Sequence, residues 1–186
     1  MSELLAAALV MDGAVERATH GFHTYPARMH PDAAAAVIAA CPGPVHDPFC
    51  GGGTVLVEGL LAGRETTGTD LSPIAVLVSG ARTAPLELVT PMRSAARKIT
   101  EAARLRVDVE VPELAERWFQ PHVAQELGRI RDGIEDASEE IKPLLWALLS
   151  SIIIKCSFRK SDTQNRRETH HRAPGTTAIL FHKKAR

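Results

Sequence analysis

The feature that most constrains the fold of this chain is a glycine-rich turn between a short apolar segment and a helix-forming segment. The turn has the sequence Asp47-Pro48-Phe49-Cys50-Gly51-Gly52-Gly53-Thr54; it follows Pro44-Val45 and precedes the amphipathic stretch 55–61. Glycine permits positive φ values and lets a ligand approach the backbone without a Cβ in the way. The first N–H groups of a helix point towards whatever lies above the turn. The pattern therefore predicts a strand, a tight turn and a helix that face a ligand together.

A second acid follows at the spacing of a nucleoside site. The segment from Glu65 to Asp70 predicts a second short strand, which ends in Gly68-Thr69-Asp70. Nucleotide-binding α/β folds place an acid at such a position, where it accepts hydrogen bonds from ribose hydroxyls. The two segments predict the first half of a nucleoside-cofactor site. The alternative is an ordinary strand–helix turn whose glycines serve packing.

The arrangement of the glycines discriminates between cofactors. Dinucleotide sites have the pattern G-x-G-x-x-G, and phosphate-binding loops end in Gly-Lys-Ser/Thr. Here Gly51, Gly52 and Gly53 are consecutive and no lysine follows them. Asp47 at the tip of the first strand would repel a pyrophosphate and attract a cationic or amino-bearing ligand. The pattern favours S-adenosylmethionine, which carries a sulfonium and an α-amino group, over NAD or ATP.

A third motif lies upstream of the glycine turn, and it carries a resemblance to a known family. It has the sequence His23-Thr24-Tyr25-Pro26-Ala27-Arg28-Met29. Together with residues 47–54 and Gly68-Thr69-Asp70-Leu71-Ser72-Pro73, it resembles the amino-group DNA methyltransferases, which modify N6 of adenine or N4 of cytosine. The resemblance covers about residues 20–83 and is to members whose cofactor motifs precede the catalytic motif. It implies an α/β, Rossmann-like S-adenosylmethionine-dependent methyltransferase fold and a DNA substrate, although related RNA methylases share the Asp-Pro-Phe-x-Gly-x-Gly turn.

The resemblance implies a role for each polar or glycine residue of the cofactor site. Asp47 would face the amino group of the methionine. The backbone of Gly51 and Gly53 would pass beneath the methionine and the ribose. Thr54 would cap the start of the helix, and Asp70 would accept hydrogen bonds from the ribose hydroxyls.

The remaining residues of the implied site are apolar or aromatic. Leu71 would lie on the adenine ring, and Tyr25 and Pro26 would close over the methionine end of the cofactor. Pro48 and Phe49 belong to the same binding motif. Two alternatives stay open, namely that Tyr25 is a surface aromatic and that Leu71 is a core residue.

The catalytic motif of the family has no counterpart in this sequence. That motif is an Asp, Asn or Ser followed by Pro-Pro and an aromatic, which together hold the target amine of a base flipped out of the helix. No Pro-Pro pair occurs in the 186 residues. We therefore expect an incomplete fold that binds the cofactor and is inactive alone, and we name no catalytic residue. A fragment, a truncated gene product and one part of a split enzyme are equally compatible with this pattern. The alternatives are a non-catalytic cofactor- or nucleic-acid-binding remnant and an RNA methylase of the same fold.

The rest of the chain is predicted to be mainly helical. We expect one domain over residues 1–186, with the cofactor motifs at 20–83, a helical insertion in the middle third at 86–156, and a basic segment at 157–186. The predicted elements are a weak helical lead at 1–19, helices at 31–40, 73–82, 91–106, 121–134 and 143–156, and a short strand or extended linker at 107–111. In this scheme the first strand has no neighbouring strand on one of its two edges. Because an open strand edge invites pairing, we expect a complementary polypeptide or a homodimer.

The C-terminal segment is basic. Residues 155–186 contain nine lysines and arginines and two acids, whereas the whole chain has 22 basic and 22 acidic residues. Within that segment Arg159, Lys160, Arg166 and Arg167 stand among hydroxyl and amide side chains, a combination that suits phosphate contacts with nucleic acid. The alternative is a solvated basic tail without a partner.

The cysteines and the apolar stretches exclude several other classes. Three cysteines without Cys-x-x-Cys spacing predict neither a disulfide framework nor a metal site. Cys50 is interpreted as a small buried residue rather than a nucleophile. The apolar stretches 4–11 and 144–154 are too short for a secretory signal and a membrane span, respectively. The prediction is a cytoplasmic protein with no metal and no membrane partner.

Overall fold

The structure is a computed structural model of the chain, and it describes residues 10, 17–26, 28–105, 107–159 and 171–186. The chain divides into two compact units, Met1–Ala84 and Pro85–Arg186. The boundary lies beside the end of the predicted cofactor motifs at residue 83, and the single domain stays a prediction. The predicted helical lead at 1–19 lies mostly outside the described residues.

The first unit is organised around two short parallel strands. In chain order its elements are α1 (Pro31–Ala40), β1 (Val45–Asp47), α2 (Thr54–Leu61), β2 (Thr66–Gly68) and α3 (Pro73–Arg82). The strands β1 and β2 are parallel neighbours, with Val45 opposite Thr66 and Asp47 opposite Gly68. Parallel strands need a crossover connection, and α2 supplies it. The arrangement is compatible with the predicted α/β fold.

Helix α2 lies close to the sheet because the residue that faces β2 is a glycine, Gly59. A Cβ on Gly59 would collide with the side chain of Thr66 on β2. The neighbouring Leu56 and Val57 are buried and provide the apolar contact of the helix. The helix therefore packs directly on the first residues of the two strands, Val45 and Thr66.

The second strand is shorter than the sequence predicts. The prediction was Glu65 to Asp70, whereas β2 ends at Gly68. The backbone N–H of Thr69 still donates to the carbonyl of Asp47 at 2.9 Å. The side chain of Asp70 then accepts from the N–H of Ser72 at 2.9 Å, and this local hydrogen bond turns the chain towards α3.

The second unit is helical, as the sequence predicts for the middle third. Its elements are a 3₁₀ turn (Leu86–Leu88), α4 (Val89–Ala103), α5 (Glu113–Glu116), α6 (Pro121–Glu135), α7 (Lys142–Cys156) and α8 (Thr176–Lys184). Ile130, Leu145 and Phe181 are fully buried between α6, α7 and α8. The predicted helices at 91–106, 121–134 and 143–156 correspond to α4, α6 and α7.

Segment 107–111 is an extended linker and not a strand. The N–H of Val109 donates to the side-chain oxygen of Gln125 at 2.9 Å, and the side-chain amide of Gln125 donates back to the carbonyl of Val109 at 3.0 Å. One glutamine on α6 thus satisfies the backbone groups that a neighbouring strand would otherwise pair. The sequence left two possibilities for this segment, a short strand and an extended linker, and the structure shows the linker.

Helix α8 was missed by the sequence analysis. It begins after Gly175, which has φ 87° and no side-chain cap. The carboxylate of Glu126, on α6, replaces the cap by accepting from the N–H groups of Gly175 at 2.5 Å and Ala178 at 3.2 Å. A cap that comes from a residue so distant along the chain leaves no local start signal.

Candidate functional site

The glycine turn joins β1 to α2 with two glycines at positive φ. Gly51 has φ 48° and Gly53 has φ 74°. The N–H of Gly53 donates to the carbonyl of Cys50 at 2.6 Å and closes the turn. A Cβ on Gly53 would lie 2.8 Å from Cβ of Ser79 on α3, so the backbone and that helix are in direct contact. Only glycine meets both requirements.

The predicted capping role of Thr54 is wrong. Gly53 is the N-cap of α2, in the left-handed conformation and without a side-chain cap hydrogen bond, and Thr54 is the first helical residue. The turn requires positive φ at the cap position, which a β-branched threonine disfavours. The side chain of Thr54 is 5% exposed and contributes to the wall of a cavity instead.

Asp70 connects the end of β2 to the glycine turn. One carboxylate oxygen accepts from the N–H of Gly51 at 2.8 Å and the other from the N–H of Ser72 at 2.9 Å. The backbone hydrogen bonds from Ser72 and Gly51 lower the pKa of Asp70 below its usual value. The carboxylate is therefore ionised at neutral pH. Each of its oxygens has a second lone pair with which it can accept from a ligand hydroxyl.

Asp47 stands at the end of the neighbouring strand. One of its carboxylate oxygens accepts from the N–H of Phe49 at 3.1 Å. The backbone hydrogen bond between Thr69 and Asp47 continues the parallel ladder, so the two acids belong to the same edge of the sheet. A pair of carboxylates at the carboxyl ends of parallel strands favours a cationic or hydroxyl-bearing ligand.

A cavity of about 350 Å³ lies over the turn, within the first unit. The predicted cofactor residues that line it are Tyr25, Pro26, Asp47, Phe49, Gly51, Thr54 and Asp70. Five other residues line the cavity without having been predicted to bind a cofactor, namely Arg28, Met29, Cys50, Gly52 and Val55. Most of the predicted residues are thus brought together around one cavity.

Three predicted cofactor residues are outside the cavity wall. Pro48 and Gly53 are not lining residues, and Gly53 is buried against α3. Leu71 is not a lining residue either, and its side chain is 97% exposed. That exposure excludes the alternative that Leu71 is a core residue.

Tyr25 forms one side of the cavity. A Cβ on Gly51 would lie 3.2 Å from Cε1 of Tyr25, and a Cβ on Gly52 would lie 3.1 Å from its Cβ. The side chain is half-buried against the turn. Because Gly51 and Gly52 have no side chains, Tyr25 can lie on the turn rather than project into solvent.

A buried charged cluster lies beneath the turn, and the sequence analysis missed it. It consists of His20, Glu58 and Arg82, which are 2%, 4% and 5% exposed. Arg82 donates to the carbonyl of Gly52 and, at 2.7 Å, to Nδ1 of His20. Nε2 of His20 lies 2.6 Å from Oε1 of Glu58. The available signal was Glu58 itself, a single charged residue within the apolar helix α2.

Burial lowers the pKa values of two members of the cluster, Arg82 and His20. It lowers the pKa of Arg82 to about 10, so the guanidinium is still charged at neutral pH. Burial is also the main cause that lowers the pKa of His20; the charge of Arg82 acts in the same direction, and the hydrogen bond to Glu58 acts against it. His20 is therefore neutral at neutral pH.

One residue of the predicted nucleic-acid contact is described. The guanidinium of Arg159 lies 5.7 Å from the ring centroid of Trp118, within cation–π range. Lys160, Arg166 and Arg167 lie outside the described residues. The phosphate-contact role of all four stays a prediction.

Two kinds of feature are absent from the residues that the structure describes. In that part of the chain, no three His, Cys, Asp or Glu side chains are grouped closely enough to hold a metal ion. Among the same residues, no helix has the length and apolar character needed to cross a bilayer.

Comparison with known proteins identifies a methyltransferase relative. Over 75 residues the chain is 43% identical to the Type II methyltransferase M.MvaI of Kocuria varians. The match covers 37% of this chain and 16% of that protein, so the chain matches only a small part of its relative. It supports a relationship to methyltransferases, and the predicted resemblance is confirmed at that level. No model of a protein family and no solved structure matches the chain.

Proposed function

We propose that this chain is the S-adenosylmethionine-binding part of a Rossmann-like methyltransferase that acts on an exocyclic amino group of a base in DNA. The observation that carries the proposal is the cavity over the glycine turn, which Asp47, Asp70, Gly51 and Tyr25 line together. It lies at the carboxyl ends of two parallel strands, where α/β folds bind their ligands. The relationship to the Type II methyltransferase supports the reaction class.

The polar residues of the cavity fit the polar groups of the cofactor. The carboxylate of Asp47 would accept from the amino group of the methionine, and Asp70 would accept from the ribose hydroxyls with its remaining lone pairs. The guanidinium of Arg28, which also lines the cavity, suits the carboxylate of the methionine. The two acids give the cavity the negative character that a sulfonium ligand prefers.

Apolar side chains at the cavity and beside it would hold the rest of the cofactor. Leu71 follows Asp70 directly, and its 97% exposure provides apolar surface for an adenine ring to cover. Tyr25 and Pro26 would close over the methionine end. Phe49 is 80% exposed and lines the cavity, so a bound ligand would remove part of its ring from water.

The cofactor, when bound, supplies an electrophilic methyl group to the target amine. This chain's own residues would bind and orient the cofactor, and we name no base-contacting residue among them. The described sheet contains β1 and β2. Its parallel pairing can be extended by a further strand, which supports complementation or dimerisation.

The basic C-terminal segment would contact the nucleic acid. Residues 155–186 contain nine basic and two acidic residues, and Arg159, Lys160, Arg166 and Arg167 are the proposed phosphate contacts. The relationship to the Type II methyltransferase supports DNA as the nucleic acid. A methyltransferase of this kind would act in the cytoplasm.

The test is calorimetric titration of the purified chain with S-adenosylmethionine and with its demethylated product. Asp47→Ala should abolish saturable binding, whereas the exposed Asp108→Ala in the second unit should bind as the wild type does. Circular dichroism checks that both variants are folded. Absence of binding by the folded wild-type chain would overturn the proposal and favour a non-catalytic remnant.

A further inference from the structure

Helix α3 supports the glycine turn from below with two residues one turn apart. Ser79 is in contact with Gly53, where an added Cβ would lie 2.8 Å from the serine Cβ. Arg82, three residues further along the same face, donates to the carbonyl of Gly52. The peptide that joins Gly52 to Gly53 is therefore held at its carbonyl by Arg82 and at its N–H by the carbonyl of Cys50, 2.6 Å away.

The position of Arg82 is fixed by two further buried residues. Arginine can only donate, so Nδ1 of His20 accepts the hydrogen bond from Arg82. The proton of the neutral imidazole is consequently on Nε2, which donates to Oε1 of Glu58 at 2.6 Å. This chain of hydrogen bonds runs from α2 through His20 to α3 and ends at the glycine turn.

From this geometry we infer that Arg82 is a positioning residue for the cofactor site, and that His20 and Glu58 hold its guanidinium in place. The inference rests on the proposed function. A peptide bond is planar, so fixing the carbonyl of Gly52 and the N–H of Gly53 prevents that peptide from flipping. Gly51 and Gly52 then keep their backbone towards the cavity that they line.

The protonation state of His20 controls the position of the Arg82 guanidinium. The charged groups around it come from each neighbouring element of the first unit: Glu58 on α2, Arg82 on α3, Asp32 on α1, and Arg17 and Arg28 from the segment before α1. A protonated Nδ1 cannot accept from Arg82 and places a second positive charge beside the guanidinium. Protonation of His20 therefore releases Arg82 and loosens the turn.

The experiment compares the buried Arg82 with a control, the half-buried Arg129. Arg129, in the second unit, also donates to backbone carbonyls, those of Ala103 and Val107, both at 2.8 Å. Arg82→Met and Arg129→Met should both destabilise the chain in urea unfolding. Only Arg82→Met should weaken S-adenosylmethionine binding, by about tenfold or more, the scale of losing correctly placed contacts. Equal affinities for wild type and Arg82→Met would overturn the inference and leave the proposed function intact.

A second readout needs no cofactor. Hydrogen exchange of the Gly51 to Thr54 amides in the ligand-free chain should be faster in Arg82→Met and unchanged in Arg129→Met. Unchanged exchange in Arg82→Met would overturn the support of the turn by Arg82. Absence of cofactor binding by the folded wild-type chain would instead overturn the proposed function and, with it, the role of Arg82 towards a cofactor.

A conservative variant covers the case in which Arg82→Met fails to fold. The amide of His20→Gln can accept from Arg82 and donate to Glu58, but it does not titrate. Cofactor affinity of the wild type should fall as pH is lowered below the ordinary histidine pKa of 6.5, because the buried His20 gains its proton only below that value. The affinity of His20→Gln should fall less over the same pH range, because the glutamine takes up no proton. The same fall in both proteins would overturn the inference, because a purely structural histidine would not alter the pH profile.

Discussion

The carboxylate of Asp70 accepts a hydrogen bond from the backbone N–H of Gly51 at 2.8 Å, across 19 residues of sequence. The acid that follows β2 therefore holds the turn that follows β1. The same oxygen atoms are those proposed to accept from a ribose. One residue would thus shape the turn and bind the ligand, and its substitution should affect both.

Asp70→Asn should weaken cofactor binding. The asparagine oxygen can replace only one of the two carboxylate acceptors, and its NH₂ group would face a backbone N–H. Because the negative charge is lost as well, we expect affinity for S-adenosylmethionine to fall by roughly an order of magnitude in calorimetry. Asp108→Asn, an exposed acid of the second unit, should bind normally. Unchanged affinity in Asp70→Asn would contradict the proposed ribose contact.

Gly53→Ala should be more destabilising than Gly63→Ala. Both glycines have positive φ, 74° and 68°, so each alanine should cost about 1–2 kcal/mol in the free energy of unfolding. A Cβ on Gly53 also meets Ser79 at 2.8 Å, whereas nothing lies within 4 Å of a Cβ on Gly63. Overpacking should add about 1–3 kcal/mol at Gly53 alone. Urea denaturation measures the difference, and equal values for the two variants would argue against the close contact with α3.

Local signals account for the parts of the first unit that the sequence predicted correctly. Helices α1 and α3 have the predicted bounds, Pro31–Ala40 and Pro73–Arg82, because each has a proline in its first turn. Ser72 caps α3, its hydroxyl accepting from the N–H of Ala75. The turn at 47–54 was predictable because consecutive glycines after a strand leave few conformational alternatives.

Contacts between residues distant in sequence account for what was missed. His20 and Arg82 are 62 residues apart, and Glu126 caps a helix that begins about 50 residues after it. Neither pairing produces a periodic pattern or a local motif. The predicted cap at Thr54 failed for a related reason, because the contact of Gly53 with Ser79, and not the side chain of Thr54, determines where α2 begins.

Glu126→Ala should destabilise the second unit. The buried carboxylate accepts from the N–H groups of Gly175 and Ala178, and its removal leaves the first turn of α8 without a cap. We expect a loss of about 1–3 kcal/mol in the free energy of unfolding. The exposed Glu140→Ala is the control. Faster amide exchange in α8 of the Glu126 variant would locate the effect, and equal stability of the two variants would contradict the capping role.

Removal of the basic residues of the C-terminal segment should lower the salt dependence of DNA binding. Each lost phosphate contact reduces the slope of log K against log salt by about 0.9, so Arg166→Gln with Arg167→Gln should reduce it by about 2. The control removes the same charge from α4, with Arg97→Gln and Lys98→Gln. Fluorescence anisotropy with a DNA duplex measures both slopes. Equal reductions would indicate attraction by net charge without a defined contact.

The buried imidazole of His20 should make stability depend on pH. Burial lowers the pKa of His20 below its ordinary value of 6.5 in the folded chain, whereas the unfolded chain has the ordinary value. Between those two values the unfolded chain binds more protons than the folded chain. The free energy of unfolding therefore rises with pH in that interval. The stability due to neutral His20 is fully present above pH 6.5, is lost as pH falls below it, and reaches its minimum once pH is under the folded value.

His20→Gln isolates this contribution. Glutamine can make the hydrogen bonds to Arg82 and Glu58 but takes up no proton, so its stability should lack the pH dependence due to His20. Urea unfolding of both proteins at several pH values between about 7.5 and 5 gives the difference in the free energy of unfolding. Groups that titrate equally in both proteins cancel in that difference. The advantage of the wild type over the variant should shrink as pH is lowered; a constant difference would mean that folding does not change the pKa of His20.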